Sequence, residues 1–308
     1  MKVALCIPTL NAGNYVDKLF ESIRMQSFQP NEILVIDSSS TDGSVEQLNR
    51  FSTKFISIPR SSFDHGGTRN MAFAIFKADI YIFLTQDAIL ENEYSIERLV
   101  LALQSQESCG MVYGRQIAGE CSTAFSRHAR LFNYPDGSSP LYKSSIDIST
   151  LGIKAAFCSN SFSAYKAAAI EEVGYFPTKT IFAEDSAVAA KLLMKGWMVG
   201  YVPSAKVIHA HEYNLIQEFS RYFDIGVFHS LNHWYMDFLG KAEGEGMKFI
   251  RSEYSYMRDL KLFFPLWSVI LRNSMRYFGY KCGRLHRYLP RFISKSISTN
   301  KAYWANAS

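Results

Sequence analysis

The chain has 308 residues, 48% of them hydrophobic and 20% charged, a composition that suits an ordered globular protein and excludes a disordered or fibrous one. Its length accommodates a full α/β domain with about 70 residues over for an appendage. The formal net charge of +5 is unevenly spread: residues 241–308 hold 13 Lys/Arg against 4 Asp/Glu, which leaves the first 240 residues at −4. A basic tail on a mildly acidic body asks for an anionic partner, and nothing in it resembles a nucleic-acid fold. No apolar run approaches a bilayer span, and Met1-Lys-Val-Ala-Leu-Cys-Ile-Pro8 enters a strand without a leader, so a cytoplasmic location is expected. Cys6, Cys109, Cys121, Cys158 and Cys282 lack metal-ligand spacing and read as reduced thiols.

Residues 3–7 read as a strand closed by Pro8 and the loop Thr9-Leu-Asn11-Ala-Gly13, with a helix over 14–26. A second strand over 32–36 ends in Asp37 and a polar loop; a helix from Ser44 leads to a third strand at 55–58. The next helix is expected from Thr68. Then Ile80-Tyr-Ile-Phe-Leu84, apolar throughout, runs straight into Thr85, Gln86 and Asp87, the pattern of a central strand buried on both faces. The β-α-β-α-β-α-β order predicts a right-handed parallel sheet whose ligand edge carries the loops after residues 7, 36 and 84. Neither a Gly-x-Gly-x-x-Gly turn nor a Walker A sequence occurs, which argues against dinucleotide and P-loop folds. Thr9, Asn11 and Asp37 can still hold a nucleotide, the Asp37 carboxylate being suited to the imide N–H of uracil or thymine. Ordinary loop formation is the plain alternative.

Ser62-Phe-Asp64-His-Gly-Gly-Thr-Arg69-Asn70 pairs two glycines with a helix start, where backbone can approach a ligand and the helix dipole favours an anion. Arg69 opposes that dipole unless a phosphate or carboxylate lies near. Residues 115–156 look irregular, as a lid or binding loop does. Glu184-Asp185 opens a helix stopped by Gly196; the pair either complements the dipole or includes a general base. His209 and His211, two apart on an extended segment, point to one side as metal ligands or as structural histidines.

Together, Pro8-Thr-Leu-Asn11, Asp37, Gly67-Thr-Arg-Asn-Met-Ala72, Asp87, Glu184-Asp185 and His209, in this order, resemble the inverting family 2 glycosyltransferases of the GT-A fold. Phe63-Asp-His-Gly-Gly-Thr-Arg-Asn70, Thr85-Gln-Asp-Ala88, Tyr113-Gly-Arg-Gln116, Asn133-Tyr-Pro135 and Arg221-Tyr-Phe-Asp-Ile-Gly226 look like bacterial rhamnosyltransferases of polysaccharide and O-antigen synthesis. The resemblance covers about residues 1–235 and implies an α/β fold, a Rossmann-like, mostly parallel sheet flanked by helices. It implies a catalytic domain over 1–235 and a basic, aromatic-rich helical C-terminal region over 236–308. It further implies Asp185 as catalytic base and Glu184 on the acceptor side. Pro8, Thr9, Asn11, Asp37, Asp64, Arg69, Thr85 and Gln86 would then meet the nucleotide-sugar, and Asp87 with His209 or His211 a Mg²⁺ or Mn²⁺ ion. The family's usual Asp-x-Asp has Thr85 at its first position here. A hydroxyl facing the ribose suits a sugar with fewer hydroxyls, as in dTDP-rhamnose, with UDP-sugars the competing donors. A nucleotidyltransferase would need a glycine-rich, lysine-containing first loop that the chain lacks, and a non-catalytic glycan-binding module is the third reading. The acceptor expected is a glycan or a lipid-linked oligosaccharide.

Within residues 265–278, a helical wheel places Ser268, Arg272 and Arg276 on one side and Trp267, Ile270, Leu271, Tyr277 and Phe278 on the other. Such a basic amphipathic helix is expected at the cytoplasmic membrane surface; a packed helix or a homo-oligomer contact is the alternative.

Overall fold

A computed structural model of the chain describes residues 1–209, 212–240, 243–260 and 266–306. Nine strands form one sheet: β1 (Val3–Thr9), β2 (Glu32–Asp37), β3 (Lys54–Ser57), β4 (Ile80–Leu84), β5 (Ala88–Leu90), β6 (Cys109–Ile117), β7 (Leu141–Lys143), β8 (Phe162–Lys166) and β9 (Met198–His209). Their order is β3-β2-β1-β4-β8-β6-β9-β5, with β7 on the flank of β9. The first four pair in parallel, as the alternation of apolar runs and helices predicts. The sheet as a whole is mixed, because β8 enters antiparallel between β4 and β6 while β5 and β7 run antiparallel to β9.

The central strands are apolar on both faces because both faces are covered. Val3, Leu5 and Ile7 of β1 and Ile80, Ile82 and Leu84 of β4 pack on one side, against the helices Val16–Arg24 and Ser95–Gln104. Ala4 and Cys6 with Tyr81 and Phe83 pack on the other, with Phe176 and the helix Glu184–Met194. Residues 115–156, expected to be irregular, contain the amphipathic helix Ala124–Asn133, capped by Thr123. The cysteines are unpaired, with Cys6, Cys109 and Cys158 buried.

The helix Leu266–Arg284 lies along the helix Leu215–Leu231 with glycines at the crossing. A Cβ on Gly283 would come within 2.0 Å of the Phe223 carbonyl oxygen, and one on Gly279 within 2.4 Å of that of Phe219. The basic side of the wheel is the packed side. Arg276 donates to both Glu218 oxygens (2.8 and 3.0 Å) and to Glu253 (3.0 Å), and Arg272 donates to Glu218 at 2.5 Å. Two buried carboxylates attract the two guanidiniums inward, since a buried charge is tolerated only when paired and hydrogen-bonded. Among the described residues, no helix is long and apolar enough to cross a membrane.

Gly283→Ala should destabilise the chain by about 1–3 kcal/mol, because the neighbouring carbonyl cannot yield without moving its helix. Gly246→Ala, exposed within the helix Glu243–Asp259 with nothing within 4 Å of a new Cβ, should be neutral or stabilising. Thermal unfolding of the two variants beside the parent measures the contrast.

Candidate active site

The loops leaving β1 and β2 are tied together at the sheet's carboxyl edge. Asp37 is completely buried and accepts from the Thr9 hydroxyl (3.1 Å), the Ser40 hydroxyl and the Ser40 amide (2.9 Å). Asn11, in the left-handed region at φ 50°, accepts from the Thr41 amide at 2.9 Å and donates its own N–H to Ser40. Gln86, just after β4, clasps the Leu10 backbone with both ends of its amide (2.7 and 2.9 Å). Pro8, Thr9, Asn11, Asp37 and Gln86 therefore lie together as expected. Asp37 and Gln86 are engaged by the protein itself and set the shape of the loops.

Asp64, expected at the donor, caps the helix His65–Ile75: one oxygen accepts from the Gly67 amide at 2.7 Å and the other from the Lys179 amide at 3.1 Å. The helix begins at His65, so Gly66 and Gly67 lie inside its first turn. Gly66 serves close packing, since a Cβ there would sit 2.0 Å from the Pro177 carbonyl oxygen. The cation whose position in that first turn called for an anion has one: Arg69 is buried and donates to Glu184 at 3.0 Å and to the His65 carbonyl at 2.8 Å.

Antiparallel pairing of β5 with β9 sets Ala88 opposite His209, which brings Asp87 to the His209 ring. His209 Nε2 lies 3.0 Å from Asp87 Oδ2, and Nδ1 lies 3.0 Å from Gln116 Oε1. Gln116, near the end of β6, is fixed in turn by donating to the Ser159 hydroxyl at 2.9 Å. Burial pushes Asp87 up, but the hydrogen bond and charge of His209, with Thr85 beside it, hold the carboxyl well below its usual range. Here the ring's Nε2–H donates to Asp87; with that proton removed and Nδ1–H given to Gln116, Nε2 and the carboxylate would offer a donor pair that fits a divalent cation. His211 lies outside the described residues. Among those described, no three His, Cys, Asp or Glu side chains form a metal cluster, so an ion here would draw its other ligands from substrate and water, as Mg²⁺ commonly does.

Glu184 and Asp185 begin their helix after Ala183, itself left-handed at φ 57°. Burial works to raise Glu184; Arg69, and then His65, more than offset it and hold the carboxyl below its usual range. Asp185 goes the other way. Burial, and next the negative charge of Glu184, raise it to about 6, against hydrogen bonds from the amides of Ser186 (2.7 Å) and Asn160 (3.1 Å). One carboxylate is thus locked in an ion pair while its neighbour is poised to take a proton near neutrality.

Several residues here escaped the sequence reading. Asn160 is buried: its amide N–H goes to Asp185, its side-chain NH₂ lies 3.4 Å from Glu184, and its carbonyl accepts from Ser163 and Tyr165. Next to it, the Ser161 carbonyl accepts from the Thr85 amide at 3.2 Å, which ties the strand end before Asp87 to the segment holding Asp185. Arg130 donates to the His209 carbonyl at 3.0 Å. Arg221 sits over Phe182 (4.9 Å) and Tyr213 (5.3 Å) and donates to the Tyr213 hydroxyl. Burial lowers Arg130 against the opposing pull of Tyr134, Tyr213 and Asp87; in Arg221 burial is outweighed by Tyr213, Tyr222, Tyr134 and Asp185. Buried Tyr134 is near both arginines, of which Arg130 feels Asp87 and Arg221 feels Asp185. The signal for Asn160 was the Ser-Asn-Ser run before β8, and for Arg221 the Arg221-Tyr-Phe-Asp-Ile-Gly226 wording that carried part of the resemblance; neither revealed a role.

Comparison with known proteins agrees with this geometry. The O-antigen chain rhamnosyltransferase WbaN of Salmonella anatum is 40% identical over 306 residues, 98% of this chain and 95% of that protein. RfbN of Salmonella typhimurium strain LT2, also described as an O-antigen chain rhamnosyltransferase, is 40% identical over 310 residues, covering 99% of this chain and 97% of that one. Among solved structures, the mannosyltransferase PcManGT from Pyrobaculum calidifontis in complex with GDP-Man and Mn²⁺ superposes with a TM-score of 0.57 at 16% identity, over 99% of this chain and 85% of that one, a likeness of fold. The model of glycosyl transferase family 2 matches residues 4–174, over half the chain, and the chain belongs to that family of glycosyltransferases.

Proposed function

We propose that the chain transfers L-rhamnose from dTDP-rhamnose, with inversion, to a hydroxyl of a glycan or lipid-linked oligosaccharide at the cytoplasmic face of the membrane. The observation that carries this reading is the pairing of a half-buried carboxyl raised to about 6, Asp185, with the Asp87–His209 donor pair across the same sheet edge. The rhamnosyltransferase relatives, similar over nearly their whole length, support the sugar. Thr85, in place of a carboxylate at the ribose, supports a deoxyribose donor.

The reaction is one in-line displacement. The acceptor oxygen attacks the anomeric carbon, its proton passes to Asp185, and the bond from that carbon to the diphosphate oxygen breaks on the opposite face. Asn160 and Ser186, donating to Asp185 through their amides, orient the carboxylate without supplying the charge that would keep it fully ionised and weakly basic. Arg69 keeps the Glu184 charge in place beside it, which raises Asp185's basicity while Glu184 itself stays locked. Arg130 and Arg221 offer positive charge around the space into which the nucleoside diphosphate departs. Asp87 and His209 would hold Mg²⁺ or Mn²⁺, which when bound neutralises charge on the diphosphate. The Thr9–Asn11 and Ser38–Asp42 loops, tied by Asp37, form the wall for the nucleoside.

Asp185→Asn, which keeps shape and loses the proton acceptor, should lower kcat by about 10²–10⁴ while leaving donor affinity within a few fold. A group that must be ionised to accept a proton loses activity as it is protonated. Parent kcat/KM should therefore fall below pH 6 by about tenfold per unit and level off above it. A flat profile between pH 5 and 7 would remove Asp185 from this role. In thermal-shift titrations, dTDP-rhamnose should raise the melting temperature more than UDP- or GDP-sugars do, and more with Mn²⁺ than without. Asp87→Ala should abolish the Mn²⁺-dependent part alone; greater stabilisation by UDP-sugars would displace dTDP-rhamnose as donor.

A further inference from the structure

We propose that the outward face of the helix Leu266–Arg284, continued through residues 285–292, is a docking surface for an anionic lipid bilayer. The proposal gives the membrane contact of the preceding reading a surface and a lipid class, and it stands apart from the identity of the donor sugar.

Trp267, Ile270, Leu271, Tyr277, Phe278 and Leu285 recur at helical spacing, and each is between 41% and 66% exposed. Tyr288 and Phe292, just beyond, are 84% and 74% exposed. Monomeric proteins seldom leave so many large apolar side chains in water along one stripe unless something covers them. The opposite side of the same helix is fully occupied: Val269, Asn273 and Arg276 are buried, and Gly279 and Gly283 touch the helix Leu215–Leu231. This rigid docking fixes which face is offered.

Charge selects the occupant. Residues 260–308 contain nine Lys/Arg and no Asp or Glu. Arg272 and Arg276 are neutralised inside by Glu218 and Glu253, but Lys281 lies over the Tyr277 ring at 5.6 Å, on the outward stripe, and Arg287 and Lys295 are exposed. Aromatic side chains beside cations, in a segment whose sequence carries no Asp or Glu, match an interface of acyl chains beneath anionic headgroups. A second copy of this chain would bring the same cations against each other.

Flotation of the full chain with vesicles tests this. The protein should float with a one-to-one mixture of phosphatidylcholine and phosphatidylglycerol, and weakly or not at all with phosphatidylcholine alone. Trp267→Ser with Phe278→Ser should reduce binding at least tenfold. Lys281→Glu with Arg287→Glu should reduce it at least about 25-fold at low salt, roughly fivefold for each cation lost before the added repulsion of the new carboxylates. Trp267, Phe278 and Arg287 are exposed and Lys281 is half-buried at the edge of the stripe, so melting temperature and transfer to a short soluble acceptor should remain close to the parent's. Absence of flotation, equal binding to both vesicle types, or unaltered binding by the serine variant would overturn the proposal. So would light scattering that showed a dimer dissociated by Phe278→Ser, since the face would then belong to a second copy. Because flotation needs no donor, failure here leaves the sugar-transfer reading intact, and failure of the transfer assay leaves this surface intact.

Discussion

The site depends on one antiparallel strand. In a purely parallel sheet only strand ends reach the ligand edge, and each delivers one loop. β8 runs the other way, so its entry, Ser159-Asn160-Ser161, arrives at the edge where β4 and β6 finish. From there it holds three things at once. The Ser161 carbonyl takes the Thr85 amide, the Asn160 amide reaches Asp185, and the Ser159 hydroxyl takes Gln116, the residue that orients His209. Asn160 is in turn held by Ser163 and Tyr165 of its own strand. Buried polar groups in such a network must all be satisfied, and this requirement fixes Asp185 relative to the Asp87–His209 pair more rigidly than either loop could alone.

The second constraint is electrostatic. Two adjacent carboxylates at one helix start would be expected to share a fate, since both meet the same helix dipole. They do not, because Arg69 reaches only one of them. Glu184, buried and paired with it, remains charged; Asp185, without a cation in direct contact and with that charge next door, is raised to about 6. Pairs of acids driven apart in this way are how one protein holds a fixed charge and a proton acceptor side by side. Arg69 therefore acts on Asp185 at one remove, through the charge it holds on Glu184.

The first ninety residues were legible because each β-α unit there obeys local rules: apolar runs of strand length, polar loops, amphipathic helices, and parallel pairing that follows from the crossovers. Asp87 could be placed at the ligand edge for the same reason. Legibility failed where the outcome depended on long-range partners. The helix expected from Thr68 starts one turn earlier, at His65, with Asp64 as its cap, a role the sequence reading did not give it. The paired glycines suggested a ligand's approach, and what approaches Gly66 is the protein's own backbone at Pro177. Gln116 and Arg221 lie in wordings that carried the resemblance but showed no role, and Arg130 lies in none; the pairing of β6 with β9, the Arg130–His209 carbonyl contact and the Arg221–Tyr213 contact bring them to the site.

The C-terminal helix shows the limit of periodicity most sharply. A wheel divides its residues into a basic side and an aromatic side, and the usual rule buries the apolar one. Here the rule is reversed, for reasons of partner and shape. Glu218 and Glu253 are inside, where an unpaired carboxylate would cost several kcal/mol, so Arg272 and Arg276 must turn inward to meet them. Gly279 and Gly283 lie on that same side and let the two helix backbones come close enough for the guanidiniums to reach. Rotating the helix to bury Trp267 and Phe278 would strand two carboxylates and drive bulky rings against backbone carbonyls. The aromatic face is outside because the inside was already determined by charge.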